Sequence, residues 1–169
     1  ILFAIGFVVS AGFLSGCATL NAIVPPSTDL KFNVSADINP DKSGRPSPVV
    51  VKVFELSSRT IFDTQDFFTL YESPENILGP DLLKKDELEL QPEQIKEHKM
   101  VLNKNTRYIG FVVAYRDIDS SRWRAVVEAA PTGYKNITMN MNSSPPLILV
   151  ILVQIFAVSS DTMLQRAFR

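Results

Sequence analysis

Alternating apolar and polar residues predict most of the strands of this chain. Residues 30–38 follow a strict period of two, which places one face of a strand in a core and the other in solvent. Residues 49–56 (VVVKVFEL) are rich in β-branched side chains and predict a second strand. Four further segments carry similar signals: 98–102, 107–115, 123–128 and 136–141. In the last of them we expect Ile137, Met139 and Met141 to point inward.

The segment between the second and third predicted strands has a different character. Residues 61–72 show no sustained alternation and predict a short helix, and Pro80 suits the first turn of another helix over 77–85. Residues 87–97 are charged, and Pro92 predicts a turn within them. At least six short strands with one helical excursion predict a mainly β fold: a two-sheet β-sandwich with a short helical insertion.

A long polar loop joins the first two predicted strands. It consists of turn-forming and charged residues: Asn39, Pro40, Asp41, Lys42, Ser43, Gly44, Arg45, Pro46, Ser47 and Pro48. Its length is about twice what a simple hairpin needs. Because binding residues often lie on long loops held by a rigid sheet, this loop is the candidate binding site. Lys42 and Arg45 suit an acidic partner, although solvated loop charges have the same pattern.

The first sixteen residues predict a signal peptide. Residues 1–14 (ILFAIGFVVSAGFL) form an apolar run of the length of a signal h-region, too short to span a bilayer as a helix. Leu14, Ser15 and Gly16 then precede Cys17, the single cysteine of the chain. This tetrapeptide resembles the lipobox of bacterial lipoproteins, in which the cysteine sulfur carries diacylglycerol and the cysteine becomes the mature N-terminus. The alternative is a buried core cysteine after an N-terminal helix.

The lipobox divides the chain into four parts. We expect a signal peptide at 1–16, the lipidated cysteine with a proline-containing tether at 17–29, a β-sandwich domain at 30–142, and an atypical apolar tail at 143–169. The signal segment lacks a methionine and a basic n-region, so we expect its natural start to lie further upstream. In Gram-negative lipoproteins, an aspartate directly after the cysteine disfavours sorting to the outer membrane. Ala18 stands at this position, so the resemblance favours sorting to the outer membrane.

The tail contains the most apolar run of the mature chain. Residues 147–158 (LILVILVQIFAV) are interrupted only by Gln154. A final, fully buried strand and a C-terminus altered by a frameshift are both compatible with this run. A membrane tail is a third interpretation, for which the run is short.

Composition and motifs offer little chemistry. The net charge of −1 over 169 residues gives no general attraction to nucleic acid or to an anionic membrane. One cysteine excludes an internal disulfide, and one histidine, His98, excludes a conventional zinc site. His98 has no nucleophile motif around it, and no glycine-rich phosphate-binding motif is present. We therefore expect no enzymatic activity, no cofactor and no metal.

Two groups of carboxylates imitate calcium sites. Polar residues at alternate positions of 37–43 resemble the first half of an EF-hand loop. However, Lys42 stands where glycine is needed and Pro48 where the closing glutamate is needed. Asp117 and Asp119 likewise have no closing ligand. A strand end that runs into a polar turn is the better interpretation of the first group.

The ordered set of motifs resembles the TssJ (SciN) family, the outer-membrane lipoproteins of type VI secretion systems. The matching pieces are the lipobox at 14–17, the strand 30–38, PSPVVVKVFEL at 46–56, FDTQDFFTLY at 62–71, LGPDLL at 78–83, and RYIGFVVAYRD at 107–117 followed by Trp123 and Arg124. Together they span residues 14–141, and the sequence departs from the family pattern after residue 142.

The resemblance implies a transthyretin-like β-sandwich with extra helices and a non-enzymatic role. It implies a lipid-anchored protein that faces the periplasm from the outer membrane. Its implied partner is the periplasmic C-terminal domain of the inner-membrane protein TssM and, indirectly, TssL. The partner-contacting loop of the family corresponds here to Asn39–Pro48. A second hypothesis is a lipoprotein that binds a small molecule or cell-wall fragment in a pocket of the sandwich, which predicts a deep pocket with convergent polar groups.

Overall fold

Two four-stranded sheets form the framework of the protein. A computed structural model describes residues 25–131, 133–143 and 148–156. Its strands are β1 (Ser27–Val34), β2 (Val49–Leu56), β3 (Leu82–Leu90), β4 (Ile95–Val101), β5 (Tyr108–Ala114), β6 (Arg124–Glu128), β7 (Tyr134–Met141) and β8 (Ile148–Phe156). The strand order is β4-β1-β7-β8 in one sheet and β3-β2-β5-β6 in the other. The predicted mainly β, two-sheet sandwich is confirmed.

Short helices occupy the connection between β2 and β3. They are α1 (Thr60–Thr64), α2 (Phe67–Glu72), α3 (Pro74–Leu78) and a 3-10 turn at Gly79–Asp81. The carboxylate of Asp66 caps α2, since it accepts hydrogen bonds from the backbone N–H and the hydroxyl of Thr69. The predicted helical insertion is confirmed. None of the helices in the described part of the chain is both long and apolar enough to cross a membrane.

Strand β3 begins inside a segment that the sequence pattern predicts as a helix, and β4 is longer than predicted. The predicted helix over 77–85 is wrong beyond residue 81, and β4 starts at Ile95 rather than at residue 98. The predicted turn at Pro92 separates β3 from β4. Both are edge strands, and charged side chains on an edge are compatible with pairing on one side only. Strand β1 begins at Ser27, before the predicted 30–38, and ends at Val34, where the chain turns.

Two apolar clusters hold the layers together. The first lies between the sheets and includes Ile137, Met139 and Met141, which are fully buried as predicted. The second lies between the outer face of the β3-β2-β5-β6 sheet and the helices, and its fully buried members are Phe54, Leu56, Phe62, Leu70, Leu78 and Val112. Strands β2 and β5 are thus covered on both faces, which explains their nearly continuous apolar sequences.

Part of the predicted apolar tail pairs with the sandwich. Strand β8, Ile148–Phe156, runs antiparallel to β7, with Ile148 opposite Met141 and Phe156 opposite Tyr134. This backbone pairing agrees with the interpretation of the run as a final strand. Residues 157–169 lie outside the described part of the chain.

The direction of β1 defines two poles of the sandwich. The chain enters β1 at the entry pole, where Ser27 lies opposite Tyr134 and the β4–β5 turn follows Val101. It leaves β1 at the loop pole, where Val34 lies opposite Met141 and the β1–β2 and β5–β6 connections begin. A strand of eight residues separates the poles by about 26 Å.

The contact between Gly110 and the helical layer gives a first prediction. A Cβ at Gly110 on β5 would lie 2.8 Å from Cζ of Phe62 and 3.1 Å from Cδ1 of Leu56. Because Phe62 is fully buried, Gly110→Ala should lower the free energy of unfolding by about 1–3 kcal/mol in chemical denaturation.

The matched control is Phe62→Leu, alone and combined with Gly110→Ala. The smaller side chain makes room for the added methyl group. The double variant should therefore lose about 1 kcal/mol less stability than the sum of the two single losses. Strict additivity of the two losses would show that the close approach of Gly110 to the ring is not the constraint.

Candidate functional site

The base of the β1–β2 loop is fastened to two other segments through Asn39. Its side-chain Nδ2 donates to the carbonyl of Pro48 at 2.7 Å, and its Oδ1 accepts from the backbone N–H of Arg116 at 2.8 Å. Asn39 is 6% exposed and has a φ of 49°, a left-handed conformation that asparagine tolerates better than most residues. The loop therefore starts and ends at fixed points.

The tip of the loop is a compact turn organised by Asp41. Its Oδ1 accepts from the backbone N–H groups of Ser43 and Arg45 at 2.8 and 3.0 Å, and its backbone N–H donates to the carbonyl of Arg45 at 2.8 Å. Gly44 has a φ of 75°, which a residue without Cβ adopts freely. The ten-residue loop is thus folded upon itself.

The hydrogen bonds at Asp41 favour its ionised form. The backbone N–H of Arg45, followed by those of Ser43 and the Arg45 side chain, holds the pKa of Asp41 below its ordinary value against the opposing effect of desolvation. The hydrogen bonds of Asp41 therefore stabilise the loop tip fully at pH values above the ordinary carboxyl pKa. This stabilisation is lost as the pH falls through the lowered pKa.

The charged side chains of the tip face solvent. Arg45 forms an ion pair with Asp41 at 2.8 Å, a surface pair of small energetic value. Lys42 is exposed, and no ion pair involves it within the described ranges. The structure thus places Lys42 and Arg45 on one exposed turn, with Lys42 as the more available cation.

The β5–β6 connection extends the surface beside the loop. A small cavity of about 90 Å³ lies between them, lined by Asn39, Pro40, Tyr115, Asp117, Ser121 and Ser143. The hydroxyl of Tyr115 is buried and has no hydrogen-bond partner among the described residues, and burial raises its pKa, so the phenol remains neutral. No pattern in the sequence predicts this neighbour, since Arg116 is 77 residues from Asn39.

The residues that imitate calcium sites do not converge. Asp37 accepts a hydrogen bond from the Ser143 hydroxyl, which lowers the pKa of this carboxyl, while Asp41 closes the loop tip. Asp117 accepts a hydrogen bond from the Ser120 hydroxyl within its own turn. Across the described ranges, no group of three or more His, Cys, Asp or Glu residues is arranged to hold a metal ion.

His98, the single histidine of the chain, lies outside the loop Asn39–Pro48. His98 on β4 pairs with Asp86 on β3 at 3.1 Å, so it links the edges of the two sheets. Leu14, Ser15, Gly16 and Cys17 lie outside the described residues.

The sequence matches one family model over residues 26–144. The family is described as type VI secretion lipoproteins (T6SS-SciN; VasD, EvfM, TssJ, VC_A0113). The chain belongs to this family. It is a family of secretion lipoproteins rather than of enzymes. A search of curated protein sequences gives no match.

Solved structures of type VI secretion lipoproteins share the fold. TssJ1 from Pseudomonas aeruginosa is 27% identical with a TM-score of 0.73, over 78% of this chain and 98% of that one. Lip from Serratia marcescens, described as a membrane-bound component of the type VI secretion system, is 23% identical with a TM-score of 0.68, over 78% and 99%. A chain of the structure described as the TssM C-terminal domain from EAEC is 20% identical with a TM-score of 0.58, over 77% and 99%. The resemblance to the TssJ family is confirmed.

Asn39 gives a prediction about how the loop is held in this type VI secretion lipoprotein. Asn39→Ala leaves the Arg116 N–H and the Pro48 carbonyl without their partner, and alanine tolerates the φ of 49° less well than asparagine does. The free energy of unfolding should fall by about 2–3 kcal/mol. The matched variant Asn39→Gly loses the same hydrogen bonds without the backbone strain, so it should cost about 1 kcal/mol less. Equal losses in denaturation experiments would contradict a strained left-handed Asn39.

Proposed function

We propose that this chain is the outer-membrane lipoprotein that binds the periplasmic domain of TssM and anchors it, and TssL indirectly, to the outer membrane. One observation carries the proposal: the loop Asn39–Pro48 and the entry of the chain at Pro25 lie at opposite poles of a rigid sandwich. A protein that joins a membrane to a partner needs its anchor and its contact surface apart. Membership of the type VI secretion lipoprotein family supports the same role.

The proposed anchor is lipid on Cys17. The eight residues from Cys17 to Pro25 span at most about 28 Å, so the entry pole stays close to the membrane. Each acyl methylene that enters the bilayer contributes about 0.8 kcal/mol, and several chains on one residue give stable anchoring. Ala18 fits sorting to the outer membrane, with the sandwich facing the periplasm.

The proposed contact surface is the tip of the loop. Its internal hydrogen bonds fix the conformation before binding, which lowers the entropy that a partner must overcome. Lys42 and Arg45 suit an acidic patch on TssM, and such charges increase the rate of association and select the partner. The role requires no catalysis, so we expect no enzymatic activity.

The small-molecule hypothesis has less support. A ligand pocket usually has a volume of about 300–1,000 Å³ and encloses most of its ligand. The cavity at the base of the loop has about 90 Å³. It holds one side chain at most. A larger groove of about 530 Å³ at the entry pole is open to solvent and does not enclose a ligand, so binding of a cell-wall fragment is the weaker alternative.

Replacing residues 39–48 by a short Gly-Ser link should weaken binding of the TssM periplasmic domain at least tenfold in calorimetry, because the link removes the whole tip.

A pair of point variants tests whether the charge of the tip contributes to binding separately from its shape. Lys42→Glu at the tip should weaken binding, whereas Lys84→Glu on β3 makes the same charge change near the entry pole and should leave affinity unchanged. Undiminished binding after loop replacement refutes the loop assignment, and no binding by the native chain refutes the partner.

Cys17→Ser should leave the sandwich folded but remove the lipid. The variant should appear in the soluble periplasmic fraction, lack acyl chains by mass spectrometry, and fail to support secretion. Ser15→Ala is the matched control, because it keeps a small residue before the cysteine and should remain acylated in the outer membrane. A Cys17→Ser protein that still fractionates with the outer membrane would contradict lipid anchoring.

A further inference from the structure

An open groove lies at the entry pole, away from the loop. It has a volume of about 530 Å³ and is lined by Ser57, Leu83, Lys104, Asn105, Arg107 and Pro131, among others. The groove adjoins the point where the chain enters the sandwich, because the backbone N–H of Leu102 donates to the carbonyl of Pro26 at 2.8 Å. Lys104 follows Leu102 by two residues.

The groove carries two exposed cations. Lys104 and Arg107 take part in no ion pair within the described ranges, whereas Arg59 on the same pole is paired with Asp63 at 2.5 Å. No acidic residue is among the described residues that line the groove, and Asp81, next to the lining residue Pro80, already accepts from the Ser57 hydroxyl at 3.1 Å. The groove therefore offers positive charge to a ligand, although the chain as a whole has a net charge of −1.

The turn that presents Lys104 is fixed from inside the protein. Glu55 is 1% exposed, and its Oε2 accepts from the backbone N–H of Asn103 at 3.0 Å and from the hydroxyl of Thr106 at 2.9 Å. The backbone N–H of Asn105 donates to Oδ1 of Asn103 at 3.0 Å. A buried carboxylate thus organises an exposed basic turn, and the orientation of the turn does not depend on a ligand.

We propose that this groove binds the phosphate headgroup of an anionic phospholipid in the membrane that holds the lipid anchor. The inference rests on the anchor at Cys17 proposed above, because the short tether keeps Pro25, at the same pole as the groove, within about 28 Å of the membrane. An arginine guanidinium pairs with phosphate in a planar fork, and a lysine ammonium adds a point charge. Docking at this pole directs β1 along the membrane normal and turns the loop towards the periplasm.

The test uses the acylated protein in lipid nanodiscs, so that the anchor supplies the local concentration. Phospholipids with a nitroxide on the headgroup report proximity through the relaxation of backbone amide signals. In discs that contain phosphatidylglycerol, residues 103–107 should relax severalfold faster than in discs of phosphatidylcholine alone. Added salt should reduce the difference, because it screens exposed charges.

Two double variants distinguish a specific phospholipid site in the groove from a general attraction of positive charge to the membrane. Lys104→Gln with Arg107→Gln should abolish the preference for phosphatidylglycerol. Arg116→Gln with Arg122→Gln removes two exposed cations from the β5–β6 connection at the loop pole and should leave the preference unchanged.

Three results would overturn the proposal: equal relaxation in both lipids, an unchanged preference in the Lys104 and Arg107 variant, or saturation by inorganic phosphate without any response to phosphatidylglycerol. Failure of the anchor is distinguishable, since a chain without acyl groups does not enter the disc at all. Failure of the TssM proposal is also distinguishable, because the partner is absent from this experiment.

Discussion

The two-sided pairing of β1 is the constraint on which the rest of the structure depends. On one edge β1 pairs antiparallel with β4, and on the other it pairs parallel with β7, which is more than 100 residues away in the chain. An interior strand with both edges occupied cannot shift its register without exposing Leu30 and Phe32, which are fully buried. Its two ends are therefore fixed points, one joined to the tether and the other to the loop.

The same strand explains why the loop is rigid. Just beyond β1, Ile38 is fully buried, and its carbonyl accepts from the backbone N–H of Ser47 at 3.1 Å. The loop is thus closed at its base by the core before Asn39 and Asp41 add their hydrogen bonds. At the opposite pole, Glu55 performs a comparable task for the turn that contains Lys104. Each exposed surface is supported by a buried residue on β2 or next to β1.

The sequence predicted the elements whose pattern reflects burial. Alternation located β1 and β7, and continuous apolar runs located β2 and β5, because these strands contact the core on one or both faces. It missed β3 and placed the start of β4 three residues late, since charged edge strands such as Lys84–Glu89 resemble turns and helices in composition. The loop at 39–48 was located from its polar residues. Its contact with Arg116, and the approach of Lys104 to the tether, depend on pairings between distant segments that a single sequence does not reveal.

A rigid spacer with its anchor at one pole and its contact loop at the other holds the bound partner at a defined distance from the membrane. Neutron reflectometry on the acylated protein in a supported bilayer, with the TssM periplasmic domain bound, measures where each layer lies. A bridge of this kind places the partner beyond a sandwich layer about 26 Å thick. Partner density beside the bilayer, at the same height as the sandwich, would contradict the opposition of anchor and loop.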